Sequence, residues 1–522
     1  MIHRQTQTAE YWNAFAVTAQ DIDFIYGYIL EASRPVPAHE LALALMRHRM
    51  EQEAAQIRRQ LSTHKIYQPK QTYAEGEWLA FPALQFAVGR VVKVRRGNNP
   101  EIGDFDVIEV EMANGKRRKF AARYPRMHRL NEEDFTVLLD EKPIQTPEAL
   151  YSAHGEHVTV VLNTALENHP DFIRIGGDWF LRALLVEIGV GHLNLAEAVL
   201  DMVGGGPLST TEILRELQLT ADAPQSVLEA SLNVALYDDL RFVEVGVGRT
   251  PMWFLRRLQP REVSETPHVL RLAQQSEPSA LDPALEALAR ALDDEWEFSP
   301  GEERPSNQAT LILTPPHRLA GTLGWNRSLA GLFRVSTKPF AAVRLVDQIS
   351  GEAMIAWLSR EGRYLWGLGR WYAKHNLQPG VYIELQRGNT PDEWYISYRR
   401  QRPRRDWVRT VSIRDGRFVL ETAQRTVSSE MEDLMTVFLD SPQAILEWRA
   451  TRRYTVTQAV QEAFAALSAQ SVQGNVHART LYVVVNILVR STPRSVFAAL
   501  SASPRYMPLG DNYWRSVEPE AP

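Results

Sequence analysis

The chain has 522 residues, 44% hydrophobic and 23% charged, with a net charge of −5, a globular composition too long for one core and therefore divided among several domains. It contains no cysteine, which excludes disulfides, thiolate nucleophiles, iron–sulfur clusters and cysteine-ligated zinc. No apolar run reaches the roughly 18 residues of a membrane span, and Met1 to Gln20 lack the apolar core of a secretory signal; a cytoplasmic protein with no membrane partner is expected.

In chain order, Asp21 to Ala32 places Ile22, Ile25, Tyr26 and Ile29 at helical spacing, and Ser33-Arg34-Pro35-Val36-Pro37 breaks that helix. His39 to Met46 and Glu51 to Leu61 follow as helices, and Tyr67 to Leu84 alternates as strands around Gly76, ending near Trp78. Three helices and a hairpin predict a winged helix over 1–85. From 86 to 125, period-two runs at Val88–Val94, Phe105–Met112 and Lys116–Phe120, separated by Gly-Asn-Asn-Pro and Ala-Asn-Gly, predict a small SH3-like antiparallel barrel. Residues 126–192 form a mixed connecting region, with Val158 to Leu162 strand-like and a helix beginning at Gly177.

Gly204-Gly205-Gly206-Pro207 ends that helix, Ser209 and Glu212 form a capping pattern, and Ser226 to Tyr237 supplies a further helix before a hairpin from Arg241 to Leu258. A second winged helix is expected over 193–260. Residues 261–306 read as an acidic helical linker around Leu281 to Asp294, and 307–437, rich in β-branched and aromatic residues, as a larger β domain. Helices at Thr457–Leu467, Ala478–Val489 and Pro493–Ser501, then a hairpin from Tyr506, predict a C-terminal winged helix over 438–522. The expected fold class is α+β multidomain, winged-helix modules alternating with small antiparallel β-barrel domains.

Two of these units close on the same pattern, Arg241-Phe242 to Gly246 and Trp253, and Arg505-Tyr506 to Gly510 and Trp514; a third copy is read at Tyr73, Gly76 and Trp78. With the Leu208/Thr210/Ile213 cap and first helix, Pro207–Leu258 and Gly474–Val517 resemble the HARE-HTH type of winged helix, a family fused to restriction endonucleases, chromatin factors and bacterial RNA polymerase subunits. The larger β domain is similar to the plant B3-type pseudobarrel in the order Val343–Asp347, Trp357, Gly369-Arg370-Trp371-Tyr372 and Pro379–Ile383. That resemblance implies duplex DNA read by the barrel's loops.

Basic residues exceed acidic ones by ten from Arg318 to Arg425, whereas Glu277 to Glu303 is acidic, an asymmetry that points to a polyanion-binding face. Its centre is Arg399, Arg400, Arg402, Arg404, Arg405 and Arg409, interleaved with Tyr395, Tyr398 and Trp407. Guanidinium groups suit bidentate phosphate contacts, and aromatic rings offer stacking surfaces. Arg58, Arg59, Arg95, Arg96, Lys116, Arg117, Arg118 and Lys119 extend the expected interface into the first two domains. In the second winged helix the third helix contains Glu229 and no Lys or Arg, with Arg249, Arg256 and Arg257 in its wing; a module that contacts a protein partner or is purely structural is expected there.

His154-Gly155-Glu156-His157 lacks the spacing of a helical zinc site, and neither a phosphate loop nor a Gly-x-Ser-x-Gly nucleophile is found. The expectation is a non-enzymatic nucleic-acid-binding protein without cofactor or metal, most suited to double-stranded DNA. The alternatives are a protein-interaction scaffold and a restriction or defence-system component with a nuclease activity of uncommon constellation.

Overall fold

The computed structural model describes residues 4–62, 64–84, 87–99, 103–113, 115–131, 144–219, 222–248, 250–274, 280–299, 301–302, 305–333, 338–389 and 393–517. The chain divides into one unit of Met1–Ile188 with Thr220–Val234 and another of Gly189–Leu219 with Ala235–Pro522. Both mix helices and sheets. Arg249 lies outside the described residues.

In the first unit, helix Ala19–Ala32 starts at a reciprocal cap between Thr18 and Asp21 and stops at Ser33, whose left-handed backbone ends the run. Strand Val36–Pro37 follows, then one continuous helix, Ala38–Ser62, where two helices were expected. The hairpin at Trp78 expected to close this module belongs elsewhere: Trp78–Phe81 is a strand of a five-stranded sheet, and Trp78 is half exposed. Helix Pro147–Glu167, started by Thr146 and Pro147, supplies the third helix, and it contains Val158 to Leu162, which read as strand-like. The closing hairpin is Phe172–Ile175 with Asp178–Leu181, so Gly177, expected in a helix, lies in the turn. Residues 65–122 are thus inserted between the second and third helices.

That insertion is a sheet in strand order Lys65–Ile66, Trp78–Phe81, Ala87–Arg96, Asp106–Met112 and Arg117–Ala122. Its ends are drawn together where the Tyr67 hydroxyl donates to the Ala121 carbonyl and the Tyr124 amide to Pro69. Tyr67, Phe81 and Phe120 stack inside the curl.

The second unit opens with helices Val190–Met202 and Thr210–Leu217, the latter started by the Ser209/Glu212 box as expected. Helix Gln225–Asp238 begins within the first unit's residues and ends within the second's. The hairpin Phe242–Glu244 with Met252–Leu255 closes this set. A seven-stranded sheet follows, antiparallel throughout except where Phe340–Asp347 runs parallel to Glu393–Tyr398. Its core holds Leu345, Ile383, Ile396, Trp371 and Tyr372. Arg400–Arg414 and Arg417–Ser429 then form a long two-stranded ribbon, turned at Asp415-Gly416, where both residues take positive φ (51° and 72°) as a tight hairpin requires. The last set is helices Val456–Ala469, Ala478–Leu488 and Pro493–Ser501 with strands Asn475–His477, Tyr506–Gly510 and Tyr513–Ser516.

One arrangement recurs three times. A short strand before the second helix pairs with the last strand, and an apolar residue on the former faces a buried Trp on the latter: Val36 opposite Trp179, Leu208 opposite Trp253, and Val476 opposite Trp514. Two of these rings are further tied by their indole N–H, Trp179 to Asn163 Oδ1 at 2.8 Å and Trp253 to Thr210 Oγ1 at 3.1 Å. Each sheet has the same order, first strand, third strand, second strand.

The first unit also carries a nearly buried ion pair. Arg49 Nε donates to Asp21 Oδ1 at 2.9 Å, and the side chains are 13% and 5% exposed. Burial alone would raise the Asp21 carboxyl; the Arg49 guanidinium and the Thr18 hydroxyl and amide outweigh it and hold the group below its ordinary value. A carboxyl with a depressed folded-state pKa stabilises fully above its unfolded value, about 3.9, and loses that contribution as pH falls through the folded value. Asp21→Asn, which strands Arg49, is expected to cost about 3 kcal/mol at neutral pH by urea denaturation. The variant should also lose less stability than the parent as pH drops below about 4.

Candidate nucleic-acid interface and a buried ion cluster

The arginine-rich segment lies on the ribbon, where alternation sends neighbouring side chains to opposite faces. Arg405, Trp407 and Arg409 share one face with Gln424 and Thr426, and Arg404 and Asp406 share the other with Arg425. A register shift between Arg400 and Arg404 interrupts the alternation before Arg404. The six guanidiniums therefore do not converge into a single cradle.

Three of them are engaged locally. Arg399 donates to Glu384 at 2.8 Å and lies near Glu430. Arg404 pairs with Asp406 at 3.0 Å. Arg409 is half-buried, donates to the Asp433 carbonyl at 3.4 Å and is lowered by that burial. Arg400, Arg402 and Arg405 are exposed, and no side-chain hydrogen bond or ion pair engages them among the described residues. Trp407, beside Arg405, is 65% exposed. Tyr513 of the C-terminal hairpin lies close enough to Arg409 to act on its charge.

In the first unit Arg90, Lys93, Arg117 and Lys119 fall on the open face of the five-stranded sheet. Lys93, Glu109 and Lys119 form one cross-strand rung, and Arg90, Glu111 and Arg117 the next. Each rung has two cations about one carboxylate, which leaves a net positive stripe. Arg95, two residues beyond Lys93, extends it, whereas Arg96, paired with Asp106, lies on the opposite face and approaches Asp104 at 4.0 Å. Lys116 and Arg118 are exposed on the same hairpin. Arg59 is exposed on helix Ala38–Ser62, and the Arg58 side chain lies outside those described.

The third helices carry little of this charge. Pro147–Glu167 contains no Lys or Arg, and neither does Gln225–Asp238. Pro493–Ser501 has Arg494, but that residue is bound to Glu286 and Glu297 of the segment expected to be a linker. That segment is core: Leu285, Leu288 and Ala289 of helix Pro283–Leu292 pack with Val496 and Phe497.

Just beyond it lies a cluster that the sequence reading missed. Arg490, 1% exposed, donates to Asp294 Oδ2 at 2.7 Å and Glu295 Oε1 at 2.6 Å. The Tyr482 hydroxyl donates to Asp294 Oδ2 at 2.8 Å, and His317 Nε2 lies 3.2 Å from Glu295 Oε1 with Nδ1 2.8 Å from Thr322 Oγ1. Burial, reinforced by the Glu295 charge, pushes Asp294 up; Glu295 is held down, against its own burial, by Arg490 and His317. Arg449, also buried, donates to the carbonyls of Val269 and Asn486. Burial and the nearby Arg490 push it down to about 9. The available signal was Arg490 itself, a lone cation ending the apolar run Leu481–Val489.

Among the described residues no group of His, Asp and Glu could hold a metal ion, and no single helix is long and apolar enough to cross a membrane. Comparison with protein-family models, curated proteins and solved structures gives no match.

Replacing Arg490 by Met would leave two buried carboxylates without their counter-charge, and it is expected to destabilise the second unit by about 3–5 kcal/mol in urea denaturation. Arg399→Met, whose partners are open to water, should cost less than about 1 kcal/mol.

Proposed function

We propose that the three strand-paired, Trp-closed sets are winged helices and that the protein is a non-enzymatic nucleic-acid-binding protein, suited to double-stranded DNA, with a regulatory or architectural role. The observation that carries this reading is the exposed trio Arg400, Arg402 and Arg405, none engaged through its side chain among the described residues, beside the exposed ring of Trp407. Cations with no internal partner lose little on meeting a phosphate, and releasing counterions from the duplex supplies the driving force.

Contact runs through strands. The third helices are acidic or engaged with the Pro283–Leu292 segment, so a groove-inserted helix is not the mode. A two-stranded ribbon is narrow enough for the major groove, and this one exposes Arg404 on one face and Arg405 on the other. The ribbon and the basic stripe around Lys93, Lys119, Arg95 and Arg117 bind backbone, which positions a duplex without reading its sequence.

The second module supports a protein partner. Met202, Tyr237 and Leu240 are 87%, 77% and 83% exposed, and apolar side chains so open to water mark contact surfaces when they cluster.

Fluorescence polarisation with a random duplex at two salt concentrations tests the main reading. The triple change Arg400→Glu, Arg402→Glu and Arg405→Glu is expected to weaken binding and reduce the salt slope by about 3, near 0.9 for each lost phosphate contact. An unchanged slope in a folded variant would move the interface elsewhere.

A further inference from the structure

The second unit contains a cavity of about 250 Å³ beside the buried ion cluster, between residues 291–295, strand Gln308–Ile312 and the start of helix Ala478–Leu488. Both polar and apolar residues line it. Two polar atoms on the lining residues, Asp293 Oδ1 and Arg479 Nε, are buried without a hydrogen bond within the protein. Asp293 Oδ1 is buried without a hydrogen bond, its nearest cation being Arg327 at 3.8 Å. Arg479 Nε is buried without a partner, although its Nη1 is held by Glu432 at 2.9 Å. Glu295 is 6% exposed, and its Oε1 takes both Arg490 and His317, while no hydrogen bond reaches its Oε2 from the described residues. That second oxygen and His317 Nε2 both lie against Gly324, where an added Cβ would be 2.9 and 2.8 Å from them.

Buried orphans are uncommon because each costs about as much as a lost hydrogen bond. One orphaned acceptor, Asp293 Oδ1, and one orphaned donor, Arg479 Nε, around one cavity call for a ligand with the opposite pair, and Glu295 Oε2 stands beside them as a further acceptor. Local charge agrees: Asp293, Asp294, Glu295 and Glu432 outnumber Arg327, Arg479 and Arg490 by one.

We propose that the cavity binds a small zwitterion, an α-amino acid, with its ammonium at Asp293 Oδ1 and Glu295 Oε2 and its carboxylate at Arg479 Nε. A plain amine would leave Arg479 Nε unpaired, and a plain carboxylic acid would leave both acceptors unpaired. The volume is smaller than the roughly 300–1,000 Å³ of drug-sized sites, which suits one amino acid. Leu311, Leu323 and Met435 in the lining receive an aliphatic side chain. Gly324 keeps the approach to Glu295 open.

Titration calorimetry on the full chain with each proteinogenic L-amino acid, up to about 10 mM, tests this. An aliphatic member is expected to bind saturably, and its decarboxylated amine and deaminated acid each about tenfold more weakly or worse. Gly324→Ala should abolish binding, and Asp293→Asn should weaken it about tenfold, a change that stands as the test if the alanine variant fails to fold. The triple glutamate variant of the ribbon should bind the amino acid as the parent does. No saturable binding by the folded parent overturns the proposal, as does an amine that binds as tightly as its amino acid. Unchanged affinity in folded Gly324→Ala or Asp293→Asn overturns it equally.

Discussion

The second unit depends on one buried guanidinium. Arg490 sits between Asp294 and Glu295 with almost no access to water, where an unpaired charge would cost several kcal/mol. Two carboxylates, the Ser491 carbonyl and Asn486 Oδ1 surround it. The pairing fixes the chain just after helix Pro283–Leu292, and Glu286 and Glu297 then bind Arg494 at the start of the last helix. An acidic stretch that would otherwise be solvated becomes the cover over a helix. The functional consequence is that this module's third helix is taken up internally, whereas Tyr513 of its hairpin lies close enough to Arg409 of the ribbon to act on its charge.

The recurring Trp has a simpler physical basis. A strand of two or three residues offers few backbone hydrogen bonds, so a three-stranded sheet this small needs side-chain area to hold it. Trp179, Trp253 and Trp514 supply it, each facing an apolar residue on the short first strand. Because the indole also carries a donor, the ring is oriented as well as buried at Asn163 and Thr210. In the first unit the same pairing holds across an insertion, since Val36 and Trp179 meet although residues 65–122 form a separate sheet between them in sequence. Insertion is tolerated because loop closure costs little more for a long segment than for a short one.

Local signals were legible where the chemistry is local. The Ser209/Glu212 cap, Pro493 at a helix start, the Asp415-Gly416 turn and the three C-terminal helices could be read directly from residue type and spacing. What failed was assignment at a distance. Trp78 was taken as the first module's closing Trp because it followed three helical patterns, yet the residue in that position is Trp179, a hundred residues later and beyond the inserted sheet. Residues 261–306 read as a linker because Pro, Ser and Gly flank an acidic helix; the compensating Arg490 and Arg494 lie about two hundred residues away, and no spacing rule connects them. Part of the candidate interface was legible, in that the arginines and Trp407 were named. Which of them are spoken for was not, because Glu384, Glu430 and Asp433 reach them only through the fold.

A strand is a poor way to build a cradle and a good way to build a blade. Consecutive arginines on a helix can be gathered onto one side by choosing positions three and four apart, but on a strand Arg404 and Arg405 must diverge. The register shift at 400–404 adds residues on one strand only, which bends a ribbon and re-aims its side chains. From Arg404 to Arg409 the strand pairs only with its hairpin partner, since Phe438–Leu439 joins it no earlier than Thr410. The two faces differ: on the Arg404 side Val408 and Val427 are buried with Phe438, whereas on the other Arg405 and Trp407 lie exposed. The third helices carry no comparable charge: Pro147–Glu167 and Gln225–Asp238 hold carboxylates and no Lys or Arg, and Arg494 of Pro493–Ser501 is bound by Glu286 and Glu297.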